Sequence, residues 1–128
     1  MSAPVVQALA AAGITSPFQI QERVVPVALR GADVLAKSPT GSGKTLAFAL
    51  PIVECVRPGE GAPAALVLVP TRELALQVAD DFRAVAGPKR LRAGVAYGGA
   101  PVAAQAKRLR GAEVLVATPG RLQDLVER

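Results

Sequence analysis

The chain has 128 residues, of which 51% are hydrophobic and 20% charged, and it carries a formal charge of +5. That is one domain's worth of protein, able to bury about two-thirds of its unfolded surface, and it is not the composition of a disordered segment. No histidine and a single cysteine, Cys55, exclude an intrachain disulfide, a zinc site, a Ser-His-Asp triad and imidazole acid–base chemistry.

In chain order, residues 5–12 and 19–30 read as helices broken at Gly13, the second kinked by Pro26. Asp33-Val-Leu-Ala-Lys37 reads as a short strand, weaker in apolar character than those that follow. An apolar helix is predicted over 44–56, then a flexible loop over 57–63 and a β-branched strand over 64–69. Residues 72–86 show helical period, with Leu74, Val78, Phe82 and Val85 on one face and Gly87-Pro88 as the stop. Strands over 93–97 and 113–117 and short helices over 103–109 and 122–127 complete the pattern. Alternation of this kind predicts an α/β fold with a largely parallel sheet and flanking helices. No apolar run approaches the ~18 residues that span a bilayer. The N-terminus lacks the basic region of a signal peptide, so the chain reads as cytoplasmic with no membrane partner.

Six basic residues and no acidic one lie between Lys89 and Arg110. They suit an anionic partner, or else form a solvated basic face.

The sharpest chemical feature is Ser38-Pro-Thr-Gly-Ser-Gly-Lys-Thr45, set between a predicted strand and an apolar helix. This is the setting of a P-loop. Gly41 and Gly43 allow a tight turn whose N–H groups face one concavity, and the helix N-terminus adds its partial positive charge. Lys44, the candidate catalytic residue, would charge-pair with the β- and γ-phosphates; Thr45 would offer its hydroxyl to Mg²⁺. Ser38 stands where the usual pattern begins with glycine. None of the ten acidic residues ends an apolar strand, so the cradle is expected without the carboxylate that holds Mg²⁺ and orients water.

Pro70-Thr-Arg-Glu-Leu-Ala-Leu-Gln77, after the strand 64–69, resembles motif Ia of the DEAD-box RNA helicases. Thr118-Pro-Gly-Arg121 resembles their motif Ib, Gly98-Gly99 the glycine doublet between the two, residues 38–45 motif I, and Gly13-Ile-Thr-Ser-Pro-Phe-Gln-Ile-Gln21 the Q motif. The resemblance implies that residues 1–128 are the leading part of a first RecA-like domain, of an enzyme coupling ATP hydrolysis to RNA duplex unwinding. ATP would be held by Gln21, Ser38, Pro39, Thr40, Gly41, Ser42, Gly43, Lys44 and Thr45, with Gln21 reading adenine. RNA would be met by Pro70, Thr71, Arg72, Gly99, Thr118 and Arg121, residue types that suit a sugar–phosphate backbone. The family commonly has Pro-Thr where this chain has Pro17-Phe18. By the same resemblance the Asp-Glu-Ala-Asp and Ser-Ala-Thr motifs and a second RecA-like domain belong beyond Arg128, and hydrolysis by this chain alone is not expected. The alternative is a non-catalytic P-loop module that binds nucleotide or nucleic acid. The family's sheet order would leave the strand 33–37 without neighbours, and an exposed edge could then pair with a second copy or exchange a segment.

Overall fold

The computed structural model describes residues 2–38, 43–60 and 63–127. Helix α1 (Ala3–Ala11) is anchored at its start by Glu54, whose Oε1 accepts from the Ser2 N–H at 2.9 Å. It ends where Gly13 takes φ +81°. The Ile14 N–H then donates to Leu9 O at 2.8 Å and the Gly13 N–H to Ala10 O at 3.0 Å, the paired bonds of a Schellman stop. Helix α2 (Gln19–Leu29) runs on through Pro26, and α3 (Lys44–Cys55) through Pro51.

Three short strands follow, separated by helices: β1 (Ala65–Leu68), α4 (Arg72–Ala86), β2 (Ala93–Ala96), α5 (Val102–Arg108), β3 (Val114–Ala117) and α6 (Pro119–Val126). Helix α4 occupies the span its periodicity predicts and gives way at Gly87-Pro88 to a single 3₁₀ turn. The sheet order is β1-β3-β2, all parallel, with Leu66 and Gly94 both opposite Leu115.

Because side chains alternate across a strand, β3 serves two cores. Val114 and Val116 pack with Val53, Val78, Phe82 and Val5 from α3, α4 and α1. Leu115 and Ala117 face the other way, against Leu109, Leu122 and Leu125 near or on α5 and α6. All four β3 residues are buried, as the central strand of a covered parallel sheet should be.

One predicted element is absent. Residues 33–37 are not a strand; they run exposed beside the sheet, with Leu35 fully accessible. Their apolar character is real, but a strand exists only when a neighbour takes its N–H and C=O groups. Among the described residues β1 pairs with β3 alone, and a groove of about 940 Å³ lies between its Ala65-Leu66 and the Val34–Ala36 stretch.

Candidate functional site

In a parallel sheet every strand points its carboxyl end the same way, so the segments after β1, β2 and β3 share one edge. Two backbone bonds join them there: Val69 N–H to Ala117 O and Thr118 N–H to Ala96 O, both at 3.0 Å. Pro70, Thr71, Arg72, Gly99, Thr118 and Arg121 all leave this edge.

Arg72 is exposed and its guanidinium carbon lies 4.9 Å from the centre of the Tyr97 ring, a cation–π contact. Gly99 takes φ +99°, and a Cβ there would stand 3.7 Å from Arg72 Nη1. Thr71 caps α4, its Oγ1 accepting from the Leu74 N–H at 3.2 Å. Thr118 holds the corresponding place before α6 with no side-chain cap bond.

Arg121 is placed differently from the rest. Its side chain is only 8% exposed, and Nη1 donates to Ala100 O at 2.7 Å and to Gln105 Oε1 at 2.8 Å. Its Nε stands 3.5 Å from Asp124 Oδ2 and has no hydrogen-bond partner. The arginine expected to face the partner faces the protein instead.

At the start of α3, Gly43 is the N-cap at φ +81°, Lys44 is exposed, and Thr45 is half-buried. A Cβ at Gly43 would come within 2.4 Å of both Gln21 Nε2 and Phe18 Cδ2, so the position admits only glycine without rearrangement. Gln21 is buried and ties the two segments together. Its Oε1 accepts from the Phe18 N–H at 3.2 Å, closing the first turn of α2, and its Nε2 donates to Gly43 O at 3.1 Å. An amide has two donors and two acceptor positions, so one of each is left for a base. Ser38 is half-buried; Pro39, Thr40, Gly41 and Ser42 lie outside the described residues.

These features fit a phosphate chain: a left-handed glycine cap, a free-standing lysine, and a twelve-residue helix aimed at it. They do not by themselves make a magnesium site. Thr45 shares a cavity of about 550 Å³ with one carboxylate, Asp81, whose burial and neighbour Asp80 push its pKa above the usual range. Six oxygen ligands are the norm for that ion, and the described residues hold no group of three His, Cys, Asp or Glu suited to a metal.

The basic run between Lys89 and Arg110 turns out to be partly structural. The Lys89 ammonium donates to Val53 O and Glu54 O at the carboxyl end of α3. Arg92 donates to Arg108 O at 3.5 Å, at the end of α5, and to Arg110 O at 3.0 Å, two residues beyond it. Both cations sit where helix carbonyls are unpaired and the dipole is negative.

Tyr97, Gln105 and Glu113 escape the motif reading. Gln105 had a faint signal, a polar residue on the Val102–Leu109 face of its helix, and it is buried. Glu113 accepts from the Arg92 N–H at 2.7 Å and the Gly59 N–H at 3.2 Å. Burial raises its pKa, but these N–H groups outweigh it and hold the carboxyl below its usual range.

Comparison with known proteins bears on the same residues. The family model described as DEAD/DEAH box helicase matches residues 18–128. The RNA helicase CrhR of Synechocystis is 46% identical over 95% of this chain and 25% of its own length. The DEAD-box ATP-dependent RNA helicase CshA of Streptococcus pneumoniae is 41% identical over the whole chain and again 25% of its own. The chain thus spans about a quarter of the length of these relatives. A DEAD box protein from Methanococcus jannaschii superposes with a TM-score of 0.94 at 39% identity, over 100% of this chain and 35% of that one. A hypothetical ATP-dependent RNA helicase from Sulfolobus tokodaii gives 0.90 at 38%, over 99% and 37%. Sequence and backbone agree over the region that carries the strand-end residues and the α3 cap, and on that agreement the chain belongs to the DEAD/DEAH box helicase family.

Proposed function

We propose that this chain is the ATP- and RNA-binding leading part of the first RecA-like domain of an ATP-dependent RNA helicase, one that couples ATP hydrolysis to duplex unwinding. The observation that carries the reading is the presence of two surfaces in one domain: a glycine-capped helix start with Lys44, and a strand-end edge with Arg72 and Gly99. Lys44 would neutralise the β- and γ-phosphates, with residues 38–43 wrapping the chain and Thr45 giving one hydroxyl to the Mg²⁺ that travels with the nucleotide. Gln21 would read adenine with its remaining donor and acceptor, an arrangement that suits adenine N6 and N7. Pro70, Thr71, Arg72, Gly99 and Thr118 would track phosphate and sugar without reading bases. Arg121 enters as a support for that surface.

An exposed free Cys55 fits a reducing, cytoplasmic compartment, and among the described residues no helix is long and apolar enough to cross a membrane. A second copy at the open β1 edge is a further proposed partner.

Calorimetry with ADP and GDP tests the nucleotide half. ADP should bind more tightly, and Lys44→Ala should abolish binding; equal affinities would remove the adenine reading. Titration of single-stranded RNA at two salt concentrations tests the other half. Binding should be weak, indifferent to sequence and salt-sensitive, and Arg72→Ala should weaken it.

A further inference from the structure

Four polar side chains are buried among the described residues, and two of them, Gln105 and Arg121, touch each other. Together they hold two carbonyls. Gln105 Nε2 donates to Tyr97 O at 3.0 Å, and Arg121 Nη1 donates to Ala100 O at 2.7 Å. Tyr97 and Ala100 bracket Gly98-Gly99, so a guanidinium and an amide pin both ends of the glycine doublet. Such a doublet has no side chains to fix it, and glycine leaves the backbone its widest freedom. The same loop presents the Tyr97 ring to Arg72 and brings Gly99 beside Arg72 Nη1.

We infer that Gln105 and Arg121 are positioning residues: they hold the loop 97–101 in the one shape that aligns Gly99 and Arg72 for a sugar–phosphate backbone. The inference rests on the RNA reading above for its purpose, though not for its geometry. Burial decides the assignment of Arg121. The Arg121 side chain is only 8% exposed and its Nη1 already serves two protein oxygens, whereas Arg72 is exposed.

Tyr97 gives a direct readout, because it is the one tyrosine in a chain without tryptophan. Gln105→Leu removes both amide bonds; Gln105→Glu keeps the acceptor for Arg121 and loses the donor to Tyr97 O. In both, acrylamide should quench tyrosine fluorescence more strongly than in the wild type while far-ultraviolet circular dichroism stays unchanged. RNA affinity should fall about fivefold, the loss of one buried hydrogen bond's alignment, with ADP affinity intact. The dependence of log affinity on log salt should keep its slope in Gln105→Leu and in Arg121→Ala, whereas Arg72→Ala should lower it by about one.

Unchanged quenching and RNA affinity in a folded Gln105→Leu overturn the inference. So does a slope lowered by about one in Arg121→Ala, which would make that arginine a phosphate contact. If Arg121→Ala does not fold, Gln105→Glu carries the test through quenching and affinity. A wild-type chain that binds no RNA overturns the RNA reading, and the tyrosine signal then decides by itself whether Gln105 holds the loop.

Discussion

Gly43 has two independent reasons to be glycine: its φ of +81°, and the 2.4 Å approach of Gln21 Nε2 and Phe18 Cδ2 to any added Cβ. The left-handed conformation alone costs an L-residue about 1–2 kcal/mol. Gly43→Ala is therefore expected to lower the melting temperature by about 4–8 °C and to weaken ADP binding, because the Gln21 strut to Gly43 O must shift. Thermal denaturation and calorimetry on the same samples check both. Glu113 is the other sensitive residue, joining the start of β3 to Arg92 and to the loop at Gly59. Glu113→Ala should cost about 2–3 kcal/mol, the scale of charged hydrogen bonds left without their acceptor. Its folded pKa is depressed, so its contribution is complete above the unfolded value of about 4.3 and is lost as pH falls through the lower folded value. Asp81, with a raised pKa, acts in the opposite sense: its small penalty is relieved as pH falls. Urea titrations at pH 7 and pH 4 should show the Glu113→Ala deficit shrinking at the lower pH.

Helix termini carry much of this molecule's polar organisation. Gly13 closes α1, Thr71 opens α4, and Lys89 and Arg92 quiet the carbonyls at the ends of α3 and α5. The two threonines at the strand ends separate a cap from a candidate contact. Thr71→Ala should cost about 1 kcal/mol through the lost bond to the Leu74 N–H, while Thr118→Ala, which breaks no cap bond, should leave the melting temperature unchanged. If Thr118→Ala destabilises as much as Thr71→Ala, its hydroxyl has a structural duty. The strand elements are short, four residues each, and among the described residues only β3 is paired on both sides. On the β2 side, Arg83 Nε donates to Ala93 O at 3.3 Å and Leu109 crowds Gly94, which blunts that edge. The β1 edge has no such cover: Leu66 and Leu68 are 47% and 53% exposed.

At the scale of the whole molecule, the folded chain exposes 7731 Å², roughly a fifth more than the about 6,400 Å² expected of a compact monomer of this mass. Leu35, Leu66 and Leu68 and the groove beside β1 account for its character, apolar and next to a strand that, among the described residues, is paired on one side. We expect the isolated chain to associate through this edge, pairing β1 with a second copy. Light scattering over a concentration series should show the mass rising, and Leu66→Lys with Leu68→Lys should return it to a monomer. A monodisperse monomer at every concentration would refute this.

All the elements but one, and their order, are readable from local pattern. The four-residue beat of Leu74, Val78 and Phe82 makes α4 a helix wherever it lies, and the β-branched runs before Pro70 and Thr118 make strands that any covering helices would bury. Glycine and proline marked the ends for the same local reason. The places of Pro70, Thr71 and Thr118 just past strand ends are legible too, because the apolar runs stop immediately before them; the roles given to them come from the family resemblance. Tertiary structure decided the rest. Whether residues 33–37 become a strand depends on a neighbour for their backbone groups, and apolar composition cannot supply one. Which way Arg121 points depends on Gln105 and Ala100, 16 and 21 residues away, brought near only when β2 and β3 pair in register. A buried guanidinium must satisfy its donors from whatever carbonyls the packing brings within reach, and that choice is made by the fold.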